Sequence, residues 1–155
     1  MTEPIVIRPA QRSDQSTIRT LVWAARLYPF HLRWPHFIVA EYDKRCLVGA
    51  GQIRPYRDGC RELASLVVSP AFQKQGIASK IIRALLGREG APIYLMCLEH
   101  MEQFYVQFGF RYVAAEEAPL SLRGKVWMGN RFSSIYGLLQ QHQTQIIIMK
   151  WQKVS

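Results

Sequence analysis

Leu63-Ala64-Ser65-Leu66-Val67-Val68-Ser69-Pro70-Ala71-Phe72-Gln73-Lys74-Gln75-Gly76-Ile77-Ala78 runs an apolar strand directly into a loop and a helix start suited to an anion. Strand formers fill Leu63 to Val68, and Ser69-Pro70 ends the run. Ile77, Ile81 and Leu85 then recur at helical spacing with Ile82 and Leu86 beside them, which predicts a helix beginning near Gln75 or Gly76. The first turn of such a helix has backbone N–H groups without intrahelical partners and lies at the positive end of the helix dipole. A phosphate can therefore be held there largely by main chain. Gly76 and Ala78 carry almost no side chain to keep a ligand away from those amides.

Two common phosphate loops do not fit. The Walker pattern needs Gly, four residues, then Gly-Lys-Ser/Thr, and the dinucleotide fingerprint needs three glycines, whereas this loop holds only Gly76. What remains, Gln73-Lys74-Gln75-Gly76-Ile77-Ala78, resembles the Gln/Arg-x-x-Gly-x-Gly/Ala signature of the GNAT superfamily of N-acetyltransferases. A second motif, Phe104-Tyr105-Val106-Gln107-Phe108-Gly109-Phe110, resembles that family's Phe-Tyr-x-x-x-Gly-Phe segment and follows in the family's order. Read by itself, it places Met101, Phe104, Tyr105 and Phe108 on one face of a short helix, with Gly109 suited to the left-handed residue that stops it. Ile7-Arg8-Pro9-Ala10 with Asp14, Phe37 to Glu41 and Leu47 to Gly51 are similar to the family's opening and its second and third strands.

The resemblance implies a mixed α/β fold: a central, mostly antiparallel sheet of about six or seven strands flanked by helices, with two splayed parallel central strands. It implies acetyl-CoA as cofactor, its diphosphate held by main-chain amides of Gln73, Lys74, Gln75, Gly76, Ile77, Ala78 and Ser79. By the same resemblance, a backbone amide within Leu66, Val67 and Val68 holds the developing oxyanion, and Tyr105 protonates the departing thiolate. Phe104 and Phe108 read as buried core, and the resemblance also places Phe104 at the cofactor. Tyr105 has the same core alternative. Where the family often carries an asparagine seven residues before the tyrosine, this chain has Leu98.

Acetyl transfer to an amine also needs a base. Glu62 stands on the strand before the phosphate loop, and it is either that base or a strand-end surface charge. Glu99, His100 and Glu102 precede the tyrosine helix, either relaying a proton or favouring the dipole.

At 155 residues the chain is expected to form a single domain spanning 1–155. Hydrophobic residues at 49% and charged residues at 20% argue against long disorder. No apolar stretch approaches a membrane span and the first residues show no signal-peptide core, so a cytoplasmic location without membrane contact is expected. Cys46, Cys60 and Cys97 are odd in number and widely spaced, which suggests neither a disulfide framework nor a metal site.

The net charge of +9 favours acidic partners. The basic residues are dispersed and no nucleic-acid module is recognisable, so nucleic acid is not expected. Lys74, Lys80 and Arg83 can serve a polyanionic cofactor or simply form a solvated helix face. No acidic residue follows Glu117, and the basic tail can draw in a carboxylate.

Along the chain, Ile5 to Arg8 reads as a strand, and Asp14 as the cap of a helix with Ile18, Leu21, Val22 and Ala25 on its apolar stripe. Phe37 to Tyr42, Cys46 to Tyr56 and Arg61 to Val68 read as an antiparallel meander turning at Asp43-Lys44-Arg45 and Arg57-Asp58-Gly59. Ile93 to Leu98 reads as a strand parallel to its predecessor, reached by a right-handed crossover. Arg111 to Ala114 and Gln145 to Trp151 form a last pair, with a helix expected at Ser133 to Gln141.

The expected reaction is acetyl transfer to a small amino acid or other carboxylated amine by a monomer or homodimer. Trp34, His31 and His36 either line the acceptor pocket or pack a loop. The alternatives are a silent acetyl-CoA sensor or interaction module, and transfer to protein amines.

Overall fold

In the computed structural model, residues 4–44, 46–127 and 145–154 are described. They fall into two compact units, one of 1–54 with 63–89 and one of 55–62 with 90–155. The strands of the first unit are β1 (Val6–Pro9), β2 (Phe37–Tyr42), β3 (Cys46–Pro55) and most of β4 (Arg61–Val68), and its helices are α1 (Gln15–Ala24) and α2 (Ile77–Gly87). β1 pairs antiparallel with β2, Val6 opposite Glu41, and β2 antiparallel with β3, Phe37 opposite Gln52, with an irregularity at Ala40/Glu41.

Alternation along β3 explains how two helices cover this unit. Ala50 joins Ile18 and Val22 of α1, Phe37, Val39 and Val67 in one apolar cluster. Gly49 and Gly51 point the other way, toward α2: a Cβ on Gly51 would lie 2.9 Å from Ile81 Cγ2 and 3.1 Å from Leu66 Cδ1. The two glycines thus let α2 settle close to the sheet, burying Ile77, Ile81, Ile82, Leu85 and Leu86. Two corrections belong here. Ala25 is exposed and ends α1 rather than extending its apolar stripe. Asp14 occupies the capping position, but its carboxylate is taken by Arg8 at 2.8 Å and the Gln11 N–H at 2.7 Å, so it braces the turn before α1. The expected turn at Asp43-Lys44-Arg45 includes Arg45, which lies outside the described residues; Asp43 and Lys44 both have left-handed φ.

The second unit holds β5 (Ile93–Leu98), α3 (Glu102–Val106), β6 (Arg111–Val113), a helix over 120–127 called α4, and β7 (Ile146–Trp151). β7 lies between β5 and β6, antiparallel to both. The start of β4 pairs with β5 in parallel at one register position, Glu62 with Tyr94. Cys60, Ala118, Leu122, Val126 and Ile148 form the core under α4. The chain is therefore a mixed α/β fold with seven strands, mostly antiparallel, and flanking helices. No helix among the described residues is long and apolar enough to cross a membrane. The helix expected at Ser133 to Gln141 lies outside the described residues.

Candidate active site

The anion loop is built by the end of β4. The Ser69 N–H bonds the Val48 carbonyl at 2.8 Å, and Pro70 to Phe72 form a single tight turn. The Gln73 side-chain amide reaches back to the Val68 carbonyl at 3.0 Å, tying the loop to the strand. Gln73's own N–H bonds Pro70 O at 3.4 Å. The consecutive N–H groups of Lys74, Gln75, Gly76, Ile77, Ala78 and Ser79 have no partner among the described residues; the next, Lys80, bonds Gly76 O at 3.1 Å and begins the α2 ladder. Lys74 (φ +64) and Gly76 (φ +79) are both left-handed, which curls these amides into a concave run ahead of α2. A Cβ on Gly76 would meet nothing within 4 Å, so the glycine is required by its φ and not by crowding. Ile77 turns its side chain into the core while Lys74, Gln75 and Gly76 remain exposed. Such a cradle fits a diphosphate.

Upstream, β4 carries an unusual residue. Ser65 has φ +55 in mid-strand, immediately before Leu66, Val67 and Val68. Its hydroxyl accepts from Gln52 Nε2 at 2.9 Å and from an Arg54 guanidinium nitrogen at 3.3 Å. A left-handed non-glycine residue persists only where its surroundings over-determine it, and these two bonds do so. Gln52 is fully buried, and its Oε1 has no partner among the described residues. The Arg54 guanidinium lies 5.2 Å from the centre of the Tyr28 ring, which in turn stacks on His31. Sequence reading missed this cluster, although two polar residues at i and i+2 in an otherwise apolar strand were a signal for it.

In the second unit, Tyr105 lies on α3, its ring edge-on to Phe104 at 5.0 Å and to Phe110 at 6.0 Å. Gly109 has φ +97 and closes the helix as expected, its N–H on Val106 O at 3.0 Å. No group among the described residues bonds the Tyr105 hydroxyl. Burial, with a smaller effect of the nearby Cys97 sulfur, pushes Tyr105 up to about 12, so the phenol is protonated throughout the physiological range. Burial likewise pushes Cys97 up to about 11.

Glu62 is 3% exposed, which removes the surface-charge alternative. Tyr56 Oη donates to its Oε1 at 2.5 Å, and Lys125 Nζ of α4 donates to Tyr56 Oη at 2.6 Å. Leu98 is 38% exposed at the end of β5, followed by exposed Glu99 and His100. Trp34 packs against the core of the first unit, as the loop-packing alternative holds. The described residues include no cluster of three potential metal ligands.

The strand, amide cradle and helix are followed along the chain by a helix that carries a half-buried phenol. The chain belongs to the acetyltransferase (GNAT) domain family, whose model matches residues 33–112, more than half of it. No curated protein matches its sequence. Among solved structures it is similar to N-acetylglutamate synthase from Neisseria gonorrhoeae complexed with coenzyme A and N-acetyl-glutamate, at TM-score 0.69 and 17% identity, covering 100% of this chain and 36% of that one. The chain thus spans about a third of that relative's length. It is also similar to Rv2747 from Mycobacterium tuberculosis in complex with CoA (TM-score 0.69, 18% identity, 96% and 99% covered) and to Escherichia coli ElaA (TM-score 0.65, 16% identity, 97% and 99% covered).

Proposed function

We propose that the protein is an acetyl-CoA-dependent N-acetyltransferase whose acceptor is a small carboxylated amine. The observation that carries this reading is the run of unpartnered amides from Lys74 to Ser79 at the positive end of α2, curled by two left-handed residues. Lys74 and Lys80 flank it and add charge. When bound there, acetyl-CoA supplies an acetyl group already activated as a thioester.

This chain's residues then have three tasks. The Glu62 carboxylate takes a proton from the acceptor's ammonium, leaving a neutral nucleophilic amine, and later releases that proton to solvent. Main-chain N–H groups within Leu66 to Val68 donate to the carbonyl oxygen as negative charge grows on it. The Tyr105 phenol gives its proton to the departing sulfur as the C–S bond breaks, and recovers one from the nitrogen of the newly formed C–N bond. A phenol without a competing hydrogen bond suits that last task.

The acceptor class is supported by the net charge of +9 and by the buried Arg54 cation beside Tyr28. It is supported also by the fold's likeness to N-acetylglutamate synthase, which was crystallised with N-acetyl-glutamate. The test is titration calorimetry with CoA and acetyl-CoA, followed by a thiol-release assay across amino acids, polyamines and lysine peptides. Binding with release on a carboxylated amine is the expected result. Absence of heat with both CoA forms removes the reading, and binding without thiol release from any amine replaces it with a sensor, which Leu98 at the asparagine position favours.

A further inference from the structure

We propose that Tyr56 and Lys125 are positioning residues for Glu62, holding its carboxylate in one orientation; this rests on the reading of Glu62 as the base. The direction of the hydrogen bonds carries the inference. An ammonium can only donate, so the 2.6 Å contact makes Tyr56 Oη an acceptor from Lys125 Nζ. The single phenolic proton is then committed to Glu62 Oε1, 2.5 Å away. Here the ammonium of Lys125 polarises the hydroxyl that holds the carboxylate.

The arrangement is built by the fold. Lys125 sits on α4, whose Leu122 and Val126 are buried around Cys60 and whose Ser121 N–H is held by the Asp58 carboxylate at 3.1 Å. The ammonium also lies 4.7 Å from the centre of the Tyr56 ring, which steadies it. Titratable and charged groups about Glu62 among the described residues include Tyr56, Asp58 and Cys60 from the β3–β4 connection, Arg61 beside it on β4, and Tyr94 opposite it on β5 with Lys150 of β7 at 5.7 Å from that ring, besides Lys125 itself.

The test compares the full chain with Lys125→Met, Lys125→Arg, Tyr56→Phe and Glu62→Gln. In Lys125→Met and Tyr56→Phe kcat is expected to fall by roughly 10–100-fold, the scale of a misplaced catalytic group. KM for acetyl-CoA stays unchanged, and Lys125→Arg restores the parent kcat. A folded Lys125→Met or Tyr56→Phe that keeps the parent kcat overturns the proposal. Should Glu62→Gln keep the parent's kcat/KM, the base reading falls and this inference with it. Loss of activity in Glu62→Gln with an unchanged kcat in the other two removes the positioning role alone.

Discussion

Gly76→Ala separates a demand for backbone conformation from a demand for space. Gly76 has φ +79 as the residue before α2, and a Cβ placed on it meets no atom within 4 Å. Crowding therefore contributes nothing, and the cost is that of holding an L-residue in the left-handed region, about 1–2 kcal/mol. Alanine also narrows the unfolded ensemble, which returns about 0.4–1 kcal/mol. The net loss is about 1 kcal/mol, and for a chain of this size that lowers Tm by roughly 2–4 °C. Gly87→Ala is the matched control, because Gly87 ends α2 in open space without a left-handed φ. There the helix propensity of alanine acts unopposed, worth up to about 1 kcal/mol, and Tm is expected to rise. The same pair separates in cofactor binding. If the strained loop of the Gly76→Ala variant relaxes and one amide loses its phosphate, a hydrogen bond to a charged group worth about 1.5–3 kcal/mol goes with it, tenfold or more in the Kd for CoA. Scanning calorimetry and titration calorimetry on both variants read the two effects. A Gly76→Ala protein with the parent's Tm and the parent's CoA affinity refutes the reasoning.

Three further outcomes are expected. Gly51→Ala pushes a methyl to 2.9 Å from Ile81 Cγ2, and by overpacking between β3 and α2 it should cost about 1–3 kcal/mol in denaturant unfolding. Tyr105→Phe removes a hydroxyl with no partner among the described residues, so stability at pH 7 should hold while kcat falls by about 10²–10⁴-fold if that phenol is the acid. Because Tyr105 is raised to about 12 from 10.0, its contribution to stability is complete below pH 10 and is lost as pH climbs toward 12, and Tyr105→Phe should flatten that alkaline limb of the stability curve. Asp14 is the opposite case: the Arg8 guanidinium holds its carboxyl below the usual range, so its contribution is present above the ordinary carboxylate pKa and lost as pH falls below it. Asp14→Asn should lower Tm at neutral pH and remove much of that acid limb.

The fold was legible where the code is local. Ser69-Pro70 stops β4 because proline cannot continue a ladder, and Ile77, Ile81, Ile82 and Leu85 write the buried face of α2 directly into the spacing. Gly109 declares the end of α3 for the same kind of reason, its φ of +97 being easy only for glycine. Asp14 shows the limit. Its cap position was readable from its neighbours, but its carboxylate went to Arg8, which β1 places beside it and which Glu41 of β2 also holds. A charged side chain with a guanidinium in reach gains more from that pair than from an N–H two residues along, and no local pattern reports which strand will deliver the guanidinium.

The same argument divides the candidate site. The amide cradle could be inferred from a few consecutive residues because its donors are main chain and a glycine and a helix start mark it, although the left-handed φ of Lys74 that also shapes it was not readable. The strain at Ser65 could not, since serine has no intrinsic call for φ +55; it is imposed by Gln52 and Arg54, which belong to another strand. Glu62 was ambiguous for a related reason. A carboxylate near a strand end is ordinarily solvated, and a tyrosine six residues back and a lysine 63 residues onward help to make its burial tolerable. Main-chain sites are therefore readable from short motifs, whereas a side-chain base depends on partners that the fold alone assembles. Mutations at Tyr56 or Lys125 should accordingly perturb proton transfer while leaving the Lys74–Ser79 cradle and its affinity for CoA as they are.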